Sequence, residues 1–81
     1  MSDEQRTREV FISREPIELY KVLKFEGMVS SGGEAKAVIS AGAVRVNGLT
    51  ESRKRRKITA GDIITFAGDE LRIHLQQPSE E

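Results

Sequence analysis

The chain contains no cysteine, so neither a disulfide framework nor a thiolate metal site can hold it together. Nothing in it requires an oxidising compartment, and a cytoplasmic location is the simplest expectation. No apolar run approaches the ~20 residues that span a bilayer, and Met1-Ser2-Asp3-Glu4-Gln5-Arg6-Thr7-Arg8 lacks the apolar region of a signal peptide. No membrane association is expected. The single histidine, His74, falls in a predicted strand without a cysteine or histidine partner, so metal binding has no support and a lone base has no nucleophile beside it. Paired catalytic carboxylates, a triad and a phosphate-binding loop are all missing as patterns. The expectation is a non-catalytic protein with no cofactor, no metal and no small-molecule substrate.

The chain also lacks net charge, with 13 basic and 13 acidic residues. That balance hides an asymmetry. From Lys21 to Lys57, nine Lys or Arg face three acids (Glu26, Glu34 and Glu51), a net of about +6, whereas the segments before and after carry about −2 and −4. A concentrated basic face on a small domain is the footprint of a phosphate-backbone binder, because each neutralised phosphate releases condensed counterions. Its densest part is Arg53-Lys54-Arg55-Arg56-Lys57. Five like charges in a row usually form a solvated loop. Here they stand directly before the apolar Ile58 and the Gly61-Asp62 turn, where folded structure must tolerate their repulsion, and this favours a functional reading.

With 81 residues there is room for one domain, burying roughly 60% of its unfolded surface. Residues 9–75 are expected to form it, with 1–8 and 76–81 as polar, flexible tails. Glu9 to Ile12 reads as a short strand. Pro16 suits the first turn of a helix running to about Glu26, with Ile17, Tyr20, Val22 and Leu23 at helical spacing and Gly27 as its left-handed cap. Ser31 opens a second helix with Glu34 three positions on, a capping-box pattern, and Ala35, Val38 and Ile39 form its buried stripe before Gly42 stops it. The remainder alternates: Ala43 to Val46 as a strand, an Asn47-Gly48 hairpin, Leu49 to Ser52 as its return, Ile63 to Phe66, and Leu71 to Leu75 burying Leu71, Ile73 and Leu75. The fold class is therefore α+β, two packed helices on a small, mainly antiparallel sheet.

Gly27-Met28-Val29-Ser30-Ser31 leading into Glu34-Ala35-Lys36, then Ile39, Gly42, Val44-Arg45-Val46-Asn47-Gly48 and Gly61-Asp62 resemble the RNA-binding domain named for ribosomal small-subunit protein S-four. The likeness runs from about Pro16 to Phe66. Leu23-Lys24-Phe25-Glu26-Gly27, Ser31-Gly32 and Glu51-Ser52-Arg53-Lys54-Arg55 are similar to the short, stand-alone bacterial YbcJ-like members. The resemblance implies a helix-loop-helix RNA-binding motif and a monomeric protein that binds structured RNA, ribosomal RNA foremost. The wider family usually has Arg after the helix-start serine, where this chain has Gly32. The RNA contact would then pass to Lys24, Lys36 or the later basic run.

The residues expected to carry binding are Lys24, Ser31, Gly32, Gly33, Lys36, Arg45, Arg53, Lys54, Arg55, Arg56 and Lys57. Ser31, Gly32 and Gly33 could seat a phosphate at a helix start, or could simply cap and turn. Phe11, Tyr20, Phe25 and Phe66 have the spacing of core residues, so recognition is expected to rest on backbone and shape more than on base stacking. The alternative function is a protein-interaction adaptor whose basic face meets an acidic partner.

Overall fold

A computed structural model describes residues 6–76. Five strands form one sheet in the order β1(Arg6–Ile12), β7(Asp69–Leu75), β6(Ile63–Phe66), β3(Arg45–Val46), β4(Leu49–Thr50), while β2(Ile17–Glu18) and β5(Lys57–Ile58) form a separate two-stranded ribbon. Helices α1(Leu19–Phe25) and α2(Gly32–Ser40) pack against each other. The α+β class holds. The sheet is mixed, because β1 runs parallel to β7 while every other pairing is antiparallel.

One core joins these layers. Leu19 and Leu23 of α1, Ala35 and Ile39 of α2, and Val44, Ile58, Ile64 and Leu71 are all fully buried. Alternation along the strands places Val10, Ile12, Val46, Ile64, Leu71 and Ile73 on the helix side of the sheet. The opposite face carries Phe11, Arg45, Arg72 and His74. Leu75, expected inside, is exposed at the end of β7.

Several boundaries differ from the sequence pattern. Arg6, Thr7 and Arg8 belong to β1 and not to a tail, held by pairing to Asp69, Glu70 and Leu71; the rest of the two expected tails lies outside the described residues, apart from Gln76, whose N–H donates to the Ile12 carbonyl. The first helix starts three residues after Pro16, since Ile17 and Glu18 are drawn into antiparallel pairing with Ile58 and Lys57. Val38 is only partly buried, leaving Ala35 and Ile39 as the inner stripe of α2. Phe11 and Phe25 are not core residues at all, at 61% and 64% exposure.

Both helices end in the way their glycines suggest. Gly27 N–H donates to the Lys24 carbonyl and Met28 N–H to that of Leu23; at the end of α2 the same two bonds run from Gly42 to Ile39 and from Ala43 to Val38. These are Schellman closures, which need a left-handed residue at the turn. Gly27 and Gly42 supply it at φ +72° and +82°.

Candidate nucleic-acid interface

The first turn of α1 has no side-chain cap. Carbonyls of the basic run replace it: Leu19 N–H donates to Arg56 O at 2.9 Å and Tyr20 N–H to Lys54 O at 3.2 Å. A helix start must find acceptors for its orphan N–H groups, and here finding them fastens residues 53–57 onto the helix. The run is thus an ordered ridge and not a free loop. With Lys36 of α2 its five residues line one shallow groove.

Within that ridge the five cations have different work. Glu51 is buried, with 7% of its surface exposed, and two guanidinium groups converge on it. Arg53 donates through Nε at 3.0 Å and Nη2 at 3.2 Å, and Arg56 through Nη1 at 3.0 Å; the Arg53 N–H adds a fourth bond at 2.9 Å. The side-chain bond from Arg53 is the main reason the Glu51 carboxyl is pulled down to about 2, and the same contact raises Arg53. Lys54, Arg55 and Lys57 are exposed, and Arg55 pairs with Glu18 at 3.9 Å. A buried carboxylate needs counter-charges, and Arg53 and Arg56 supply them.

Tyr20 gathers the rest. Lys36 Nζ lies 4.7 Å from the centre of its ring, Lys21 Nζ 5.9 Å and the Arg55 guanidinium 6.0 Å. An aromatic face attracts cations, so the Tyr20 ring, half-buried against the core as expected, also serves as a hub where α1, α2 and the basic ridge meet. Gly32 lies against the same ring, a Cβ there falling 3.8 Å from it. Lys36, Arg55 and Gly32 are therefore neighbours. Lys24 is exposed one helical turn beyond Tyr20, whereas Arg45 lies on the far face of the sheet, outside the cluster.

The start of α2 reads chiefly as a cap. Ser31 Oγ accepts the Glu34 N–H at 3.1 Å. The return half of the expected capping box shifts by one residue, since the Glu34 carboxylate accepts from the Ser30 hydroxyl at 2.6 Å and the Ser30 N–H at 2.9 Å. Those bonds, the hydroxyl's first, lower the Glu34 pKa. A carboxylate beside Ser31 and Gly33 makes that end of the helix a poorer phosphate seat than the Tyr20 cluster. Asn47 does more than turn the hairpin: its amide donates to Asp62 and its Oδ1 accepts the Ile63 N–H, tying two loops together. His74 bonds to the Glu9 carboxylate and stacks on Phe11. Among the described residues no cluster of His, Cys, Asp and Glu could hold a metal, and no helix is long and apolar enough to cross a membrane.

Sequence and structure comparisons converge on one group. Residues 10–74 match the family described as S4 domain. YbcJ of Escherichia coli (strain K12) is 46% identical over 57 residues, covering 70% of this chain and 81% of YbcJ. A Bacillus subtilis (strain 168) protein named "Probable ribosome maturation protein RlbA" is 36% identical over 59 residues, 73% of this chain and 83% of its own length. The solution structure of E. coli YbcJ, described as revealing an ALFAL motif involved in RNA-binding, superposes with a TM-score of 0.64 at 40% identity, covering 82% of this chain and 85% of that one.

Proposed function

Because this chain belongs to the S4 domain family, we propose that it is a non-catalytic RNA-binding protein whose basic ridge and Tyr20 cluster hold the phosphate backbone of structured RNA. The observation that carries the reading is the convergence of Lys36, Lys54, Arg55 and Lys57 on one groove fastened to α1. Two helices and a ridge present cations at fixed spacing, and fixed spacing favours a folded RNA of matching shape over a flexible strand. RNA-binding is also the property given for the YbcJ structure. The ribosome-maturation name of the B. subtilis relative makes ribosomal RNA the first target to test. We take the protein to be a monomer acting in the cytoplasm.

The test is a titration of a ribosomal RNA fragment at several salt concentrations. Phosphate binding requires log affinity to fall linearly with log salt, with a slope set by the number of phosphates engaged. A flat line would end this reading. Incubation should leave the RNA intact by gel and mass, and a cleaved or modified product would show an activity in place of simple binding.

A further inference from the structure

A second concavity adjoins the basic groove across Lys57, which lines both. It lies between the end of β1 and the outer side of α1, and Phe11, Ile17 and Phe25 give it an apolar lining. Phe25 is 64% exposed and Phe11 61%. The Phe11 ring turns to the far face of the sheet, where it stacks on His74, so Phe25 is the exposed ring at the opening, and an exposed ring over an apolar lining marks a place where something apolar is received.

The chemistry around the cleft narrows what that is. Lys57 and Lys21 stand in its lining, and Lys21 connects it to the Tyr20 cluster. A polynucleotide following the basic groove meets the cleft without leaving its cations. Glu18 and Glu26 also line it. Glu18 is held by Lys21 at 3.8 Å and Arg55 at 3.9 Å, whereas among the described residues no ion pair engages Glu26. Carboxylates in an apolar cleft repel an acidic peptide. They do not repel a nucleobase, which is neutral, stacks on an aromatic ring, and on adenine, cytosine or guanine offers an amino group that a carboxylate accepts.

We propose that this cleft takes the extruded base of an unpaired nucleotide in the bound RNA, stacked on Phe25, with the adjoining phosphate held by Lys57 and Lys21. This rests on the RNA-binding reading and adds to it a class of target, RNA carrying a bulged or looped-out nucleotide beside a helix. It also adds stacking of one base to the recognition by backbone and shape expected from the sequence.

Two RNA hairpins identical except for one unpaired purine provide the test, with 2-aminopurine at that position to report stacking. Stacking on an aromatic side chain makes the bulged hairpin bind about tenfold tighter or more, with quenched fluorescence. Phe25→Ala and Phe25→Leu, both at an exposed position, should keep the parental melting temperature and reduce the preference to near unity, with fluorescence restored. Equal affinity of the parent for both hairpins, or a preference that survives both substitutions, overturns the cleft assignment and leaves the RNA-binding reading standing. Failure to bind either hairpin overturns both. Saturable binding of a glutamate-rich peptide that Phe25→Ala abolishes would give the cleft to a protein partner and overturn the proposal.

Discussion

Glu51 and Arg53 are joined by three hydrogen bonds of 2.9, 3.0 and 3.2 Å, two from the guanidinium and one from the backbone. They stand two residues apart, yet one is buried and the other exposed. The carboxylate therefore uses surface charge to remain ionised inside the fold. Basic residues that an inventory of charge would reserve for RNA are also part of the protein's own framework.

Replacing Arg53 and Arg56 together by Ala should consequently destabilise the fold by about 1–3 kcal/mol, since a buried carboxylate loses its donors. An Arg55→Ala variant should stay within about 0.5 kcal/mol of the parent, as an exposed charge does. Urea melts of the two variants measure the contrast. Equal midpoints would show that Glu51 does not depend on its arginines.

Acid should expose the same contact. The Glu51 pKa is lowered in the folded state to about 2, below the ~4.3 of an unfolded glutamate. Its contribution is therefore fully present above about pH 4.5 and lost as pH falls toward 2. Glu51→Gln should flatten that part of the stability curve while changing little at pH 7 to 8 beyond a constant offset, as followed by thermal melts across pH. A parental slope below pH 4.5 in the variant would assign acid sensitivity elsewhere.

For RNA binding, the informative substitutions are those that leave Glu51 paired. Lys36→Ala, Lys54→Ala and Arg55→Ala combined should make the log-log salt slope shallower by about two to three contacts, with far-UV circular dichroism unchanged. Arg45→Ala, on the far face of the sheet, is the control and should leave the slope unchanged.

The helix packing makes a fourth expectation. Ile39 is fully buried and Val38 only partly so, hence Ile39→Ala should cost about 2–5 kcal/mol and Val38→Ala clearly less. Ser31→Ala should cost about 1 kcal/mol through loss of the cap to Glu34. Denaturation midpoints that place Val38 above Ile39 would reverse the inner face of α2.

Features decided within a few residues were legible in the sequence. Asn47 and Gly48 take φ of 54° and 86°, the doubly left-handed turn their dipeptide announces, and both helix-ending glycines act as caps. Features decided by distant partners were not. The true start of α1 depends on Ile58 and Lys57 recruiting Ile17 and Glu18, and the first rungs of β1 depend on Asp69 and Glu70. The site divides in the same way. The basic run was visible as composition, but its split into framework and free cations follows from the burial of Glu51, and Tyr20 becomes a hub only once two helices and the ridge are assembled. Phe11 and Phe25 misled because aromatic residues are usually placed by burial, whereas Phe25 faces a cleft and Phe11 stacks on His74 on the far side of the sheet.

The parallel pairing of β1 with β7 sets an order of assembly. Arg6 meets Asp69 and Ile12 meets Leu75, so the earliest strand to leave the ribosome waits for the latest, and closing so long a loop is slow. The helices, the hairpin and the ridge have their partners at hand sooner. In a nascent chain the β1 wall of the cleft therefore cannot be seated until β7 has been made.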